Sequence, residues 1–378
     1  MVWPTTEYSA YESAGVNSGF VNGNDEWEAT IHLLPCSRQE DFEYRSIAKR
    51  VDALGRLLNA RQAAPGWREL ASLWHEMPAN ARILVASHPT FFVWAREYAG
   101  QRTKQGDRKG LRLCERLATL ICGAALSEGL DIVEPIHLAS ESTNRLTIIG
   151  SNTYICAADS SRPLQIVTLT HQNGNVRIRR EDCGEQGGFP LSILGSAVSC
   201  IELGGGFRAL RADVMQGGIE VVSAHTMVQA FFDGLPTGPE IGVSPRLYPV
   251  IPAETRSRVE EALQIIEDAW PEMRAELGRH LHMIVPFQGS ARVSFTNPTW
   301  QGALFFRDPP ADIWALVEAF VHEASHLQLN VFLSVARLHE WGAERTAQSP
   351  FREGPRPLDA LFHGVFVFAR IILMRARC

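Results

Sequence analysis

Between Trp314 and Phe332 the chain is apolar on nearly every face that a helix could present. Leu316, Val317, Phe320, Val321, Leu327, Leu329 and Val331 leave no broad polar side. A helix of that kind belongs in an interior. Yet it carries His322, Glu323 and His326. Two imidazoles and a carboxylate in apolar surroundings are costly unless they are paired or coordinated. Residues four apart on a helix stand one turn apart on one face. His322 and His326 can therefore hold one metal ion through ring nitrogens at about 2.0–2.1 Å. The run His322-Glu323-Ala324-Ser325-His326 is an HExxH motif, and with only 12 histidines in the chain a chance match is improbable. The partial echo at His75-Glu76 lacks the second histidine. Asp308-Pro309-Pro310 reads as the helix start, a capping acid followed by prolines that the first turn tolerates. The helix is expected over about 311–336.

The rest of the chain divides by texture. Residues 1–25 are rich in Ser, Gly, Asn and Thr without an apolar period and read as an arm. Residues 26–135 are helical in pattern, with Ile47, Val51, Leu54 and Leu58 at spacings of three or four. The stretches Ala81 to Ala99 and Leu111 to Leu126 are alike, with breaks at Pro65, Pro78 and Gly106. Residues 136–252 are β-rich. Leu164–Thr170 and Val176–Arg180 flank Asn173-Gly174, a hairpin signal. Gly204-Gly205-Gly206 lacks a following Lys-Ser/Thr and reads as a turn rather than a phosphate loop. Residues 253–378 hold a long amphipathic helix with a stripe from Val259 to Leu277, then strands, then the metal helix. The expected fold class is α+β, with an N-terminal helical region, a middle antiparallel region, and a zincin-like metal helix with flanking strands.

A third ligand is needed. His339, Glu340, Glu344 and His363 are the downstream candidates. His363 lies in the apolar run Leu361–Phe368, where a buried imidazole needs a partner, so it is favoured. Ser294 and Gln328 are further polar residues that could line the pocket. The loop from Ser349 to Leu358 contains three prolines and a glycine and carries Arg352 and Arg356 toward His363. An arginine fork binds a carboxylate in bidentate fashion. With zinc, such a site makes a hydrolase in which Glu323 takes a proton from the bound water. With iron(II), two histidines and a third ligand leave positions open for a 2-oxoacid and dioxygen.

VHEASHLQLN followed by SPFREGPRPLDALFHGVFVF resembles the HExxH-motif family of peptide-modifying proteins encoded with ribosomally made, post-translationally modified peptides in bacteria. The resemblance covers about the last sixty residues. It implies an iron(II)- and 2-oxoglutarate-dependent dioxygenase that β-hydroxylates a residue of a precursor peptide. It implies that His322, His326 and His363 hold iron and that Arg352 or Arg356 anchors 2-oxoglutarate. Glu323 then orients a ligand or water; as an iron ligand it is disfavoured, because adjacent helical residues point about 100° apart. The alternatives are a zinc metallopeptidase with Glu323 as general base, and a non-enzymatic peptide binder with a decayed metal site.

Charge and cysteines set the remaining bounds. The formal net charge of -6 disfavours nucleic acid as a partner. The seven cysteines are odd in number and contain no CxxC pair, which suits a reducing cytoplasm. The first residues lack a basic segment followed by an apolar core, so no signal peptide is expected. The longest apolar stretch, Leu361 to Met374, is interrupted by His363 and Arg370 and is shorter than the roughly 20 residues of a membrane span. The oligomeric state is left open.

Overall fold

The computed structural model describes residues 38–62, 66–101, 107–139, 145–149, 153–157, 166–195, 200–211, 215, 218–223, 226–235, 242–335, 345–349 and 354–378. The arm read over 1–25 lies outside them. Among the described residues five helices come first: α1 (Arg38–Arg61), α2 (Trp67–Glu76), α3 (Ala79–Ser87), α4 (Pro89–Gln101) and α5 (Asp107–Ser127). Their apolar stripes meet in one core, with Leu54 and Leu58 from α1, Leu70 and Trp74 from α2, and Leu117 and Ile121 from α5. The stretch Ala81 to Ala99 is not one helix. It breaks at His88, whose backbone is extended (φ -67, ψ 135), because the residue before a proline is pushed out of the α region.

Eight described strands follow: β1 (Ile132–Ala139), β2 (Arg145–Ile148), β3 (Thr153–Ala157), β4 (Ile166–Gln172), β5 (Asn175–Arg180), β6 (Gln186–Pro190), β7 (Cys200–Gly204) and β8 (Phe207–Arg211). They form two four-stranded sheets, ordered β1-β4-β5-β6 and β2-β3-β8-β7, antiparallel throughout. The β4–β5 hairpin turns on Asn173 and Gly174, with φ of 51 and 73. Two positive φ angles in succession are what a two-residue type I′ turn requires. Alternate residues Val167, Leu169, Val176 and Ile178 face the same core as the five helices. The triple glycine makes the β7–β8 turn.

The C-terminal part comprises β9 (Glu220–Val221), α6 (Thr226–Asp233), β10 (Gly242–Leu247), α7 (Ala253–Ala269), α8 (Pro271–His280), β11 (Met283–Ser290), β12 (Ser294–Thr296), β13 (Ala303–Arg307), α9 (Ile313–Val335), β14 (Thr346–Gln348), β15 (Pro355–Pro357) and α10 (Leu358–Arg377). Its sheet is ordered β10-β11-β13-β12, with β9 also paired to β11. β11 runs parallel to β13 and β9, whereas β10 and the edge strand β12 are antiparallel to their neighbours. Thus β9 and β10, which the sequence texture groups with the middle region, belong to this sheet, and α6 packs on it. Side chains alternate across it, as the strand period requires. Ile284, Leu304 and Phe306 face α7 and α9, while Met283, Val285, Phe287 and Phe305 face α6. The whole is a mixed helix–strand fold with several antiparallel sheets. Among the described residues no helix is long and apolar enough to cross a membrane.

Two expectations are corrected here. The stripe from Val259 to Leu277 spans two helices, because the chain bends at Trp270 (φ -151, ψ 75) and Pro271 opens α8. Proline lacks the N–H that a continuing helix would use, and only a first turn tolerates that. Nor does Asp308 cap α9. The cap is Asp312, whose Oδ1 accepts from the Ala315 N–H at 2.7 Å. Asp308 is buried and accepts from Tyr248 Oη at 2.7 Å and Thr255 Oγ1 at 2.5 Å. It ties the end of β13 to α7.

Candidate metal centre

Most of α9 is buried, as its composition demands. From Leu316 to Val331 the half-buried positions are Glu318, His322, His326 and Asn330. Their spacing of four makes them one stripe on one face. The two motif histidines therefore sit on the single line along which this stretch of α9 meets space.

His322 Nε2 and His326 Nε2 are 3.2 Å apart. Two nitrogens each about 2.1 Å from one ion lie about 3.0 Å apart at a right angle and about 3.4 Å apart at a tetrahedral angle. The observed separation falls between these limits. Glu323 is 2% exposed and its Oε1 accepts from Ser294 Oγ at 2.8 Å. One ligand atom from each of His322, Glu323 and His326 lies within 4.8 Å of the others. Adjacent helical residues diverge by about 100°, yet the glutamate side chain is long enough for its carboxylate to join the two imidazoles.

Burial pushes His326 well below its usual range, and the neighbouring His322 and His363 push it the same way. A ring held neutral is the form that binds a metal. His363 is 8% exposed and stacks on His326 with ring centroids 5.7 Å apart. Its Nδ1 is 3.5 Å from His326 Nδ1, at the edge of the ring opposite the nitrogen that faces His322. His363 thus adjoins the group without being one of the three converging donors. Phe368, five residues further along α10, sets its ring edge-on to His322 at 6.2 Å.

Arg356 lies on β15, in a short hairpin with Ala347 of β14. Arg352, His339, Glu340 and Glu344 lie outside the described residues. Ser294 and Gln328 acquire definite partners. Ser294 holds Glu323, and Gln328 Oε1 accepts from Arg370 Nη1. Arg370 is the residue that sequence reasoning passed over. It is fully buried and donates to Glu276 Oε2 of α8 at 2.7 Å, so it joins α8, α9 and α10 behind the histidines. The available signal was a charged residue inside an apolar helix, seven positions after His363.

The donor chemistry and spacing fit one divalent ion, which makes this a candidate helix-borne metal centre on a mixed sheet. No family model matches the chain, and no curated protein matches it significantly.

Proposed function

We propose that the chain is an iron(II)- and 2-oxoglutarate-dependent dioxygenase that hydroxylates the β-carbon of a residue in a ribosomally made precursor peptide. The observation that supports this over hydrolysis is the state of Glu323. Its carboxylate converges with His322 and His326 and is buried against Ser294. Two histidines and a carboxylate are the donor set of non-haem iron(II) oxygenases and of zinc hydrolases alike, so it is the burial of Glu323 against Ser294 that favours the oxygenase. A general base for peptide hydrolysis needs a carboxylate open to water and substrate.

When bound, iron(II) with 2-oxoglutarate and dioxygen supplies the oxidising power to functionalise a C–H bond. The chain's own residues do the positioning. His322 and His326 would hold the ion through their Nε2 atoms, and Glu323, or His363 in its stead, would supply the third donor. In its observed place His363 acts on His326 Nδ1 instead and orients that ring. Ser294 fixes Glu323 and ties the edge strand β12 to the metal helix, an arrangement we read as zincin-like. A peptide adding to β12 in extended form would pass beside the histidines. Phe368 sets an apolar ring edge-on against His322.

The test is turnover. The iron(II)-loaded chain, 2-oxoglutarate, dioxygen and a candidate precursor peptide should give succinate and a peptide heavier by one oxygen. Cleaved peptide from the zinc-loaded chain, with no oxygen gained under iron, would overturn the reading in favour of the peptidase. Metal retention in His363→Ala against Glu323→Ala assigns the third ligand.

A further inference from the structure

A cavity of about 250 Å³ opens beside the C-terminal half of α9, lined by Arg50, Phe92, Pro298, Gln301, Asn330 and Val331. Its floor continues the metal stripe. Asn330 stands four residues after His326, about 6 Å further along the helix axis.

Arg50 reaches the cavity from α1, in the part of the chain whose pattern reads as scaffold. Its guanidinium lies over the Phe92 ring at 4.9 Å from the centroid, and its Nη1 donates to Ser46 Oγ at 3.1 Å. These two contacts orient the planar fork. Its charge is felt inside the protein: His282 is held down to about 4, by burial first and by Arg50 second. Gln301 is fixed at the opposite wall, where its Nε2 donates to the Leu327 carbonyl at 3.0 Å. The lining therefore offers one cation, two amides and an aromatic ring, and none of the six residues is acidic. A planar guanidinium with amide neighbours suits a carboxylate. Pockets for drug-sized molecules run about 300–1,000 Å³, so this one suits a smaller acid.

We infer that this cavity receives the far carboxylate of a small diacid whose near end lies at the His322–His326 pair, with Arg50 as its counter-charge. The inference rests on the oxygenase reading, in which the diacid is 2-oxoglutarate. It makes the N-terminal helices a wall of the site and gives the anchoring role to Arg50 rather than to Arg352 or Arg356.

The experiment titrates the anaerobic, iron(II)-loaded full chain with 2-oxoglutarate and reads the visible chelate band. Arg50→Gln should raise the half-saturating concentration at least tenfold, and Arg50→Lys should recover part of that loss. 2-Oxobutyrate, a keto acid without the far carboxylate, should bind the wild type and Arg50→Gln alike. Asn330→Asp leaves Arg50 and its contacts in place and puts a negative charge into the cavity. It should weaken 2-oxoglutarate in the same way, which keeps the test decisive where Arg50→Gln fails to fold. Equal half-saturation in wild type and both variants, or a loss confined to Arg352→Gln or Arg356→Gln, overturns the inference. A second arm needs no iron. Glutarate should raise the melting temperature of the zinc-loaded wild type and not that of Asn330→Asp. No chelate band in the wild type together with this glutarate effect would sink the oxygenase reading and keep the carboxylate cavity. No response in either arm would sink both.

Discussion

Removing the charge of Arg370 tests whether the metal helix is held from behind by one buried ion pair. Arg370 and Glu276 are both 0% exposed, with Nη2 and Oε2 2.7 Å apart. The same guanidinium lies 5.3 Å from the centroid of Phe366 and 5.8 Å from that of Trp270. Burial pushes the Glu276 carboxyl up, and the charge and hydrogen bond of Arg370 pull against that. Arg370→Met keeps most of the stem's volume and strands Glu276 in the core. Breaking one side of a buried pair costs about 3–5 kcal/mol. Arg370→Met with Glu276→Leu removes both charges and should return to within about 1 kcal/mol of the wild type. The double-mutant cycle should then show a coupling of about 3 kcal/mol or more.

The same pair has a pH signature. Without Arg370 the folded-state pKa of Glu276 rises further above its unfolded value of about 4.3. A raised acid contributes stability that is fully present below the unfolded pKa and is lost as pH rises through the folded one. The deficit of Arg370→Met against the wild type should therefore grow from about pH 5 to about pH 7.5. Urea unfolding followed by circular dichroism at both pH values measures it. A single variant within about 1 kcal/mol of the wild type at neutral pH, or a double variant as unstable as the single, refutes the reasoning.

Three further outcomes are expected. His326→Ala should take bound metal from about one equivalent to none by elemental analysis, given that each ligand is essential to so small a donor set; retained metal would place the ion elsewhere. Ser294→Ala should cost about 10–100-fold in metal affinity or turnover, the usual effect of removing a residue that orients a donor; unchanged affinity and turnover would reduce Ser294 to packing. Burial holds His280 down to about 3 and His282 down to about 4. Each stays neutral in the folded chain while the unfolded chain takes up a proton near pH 6.5. Their stabilisation is thus present above about pH 6.5 and lost as pH falls toward about 4, on the order of 2–3 kcal/mol each by about pH 4.5. Unfolding free energies that stay flat from neutral pH to about pH 4.5 would contradict it.

What the sequence showed clearly was local and periodic. The all-round apolar character of α9 and the four-residue spacing of its histidines announce both burial and a shared face. Asn173-Gly174 announces its hairpin. What it hid was decided by partners far along the chain. Asp308 looks like a cap because it precedes prolines, and only Tyr248 and Thr255 reveal why it is used elsewhere. The stripe from Val259 to Leu277 keeps its period across Trp270 because both α7 and α8 pack on the same sheet face, so the period alone could not show the break at Pro271. β10 holds a proline and only two apolar side chains, Val243 and Leu247, so no strand pattern marks it, and its pairing with β11 fixes it.

The site follows the same division. Its metal donors lie within five residues, so a motif could reveal them, whereas their support comes from β12 through Ser294 and from α10 through His363 and Phe368. The stripe that carries them begins at Glu318, whose Oε1 lies 2.7 Å from Arg375 Nε, with that guanidinium 5.3 Å from the Trp314 ring centroid. At the other end Asn330, the last residue of the stripe, lines the Arg50 cavity. On the proposed reading a small acid occupies that cavity, and an extended peptide lies across β12. The two then approach His322 and His326 from different directions. Neither has to leave for the other to bind, which is what a reaction joining a diacid, dioxygen and a peptide at one ion requires.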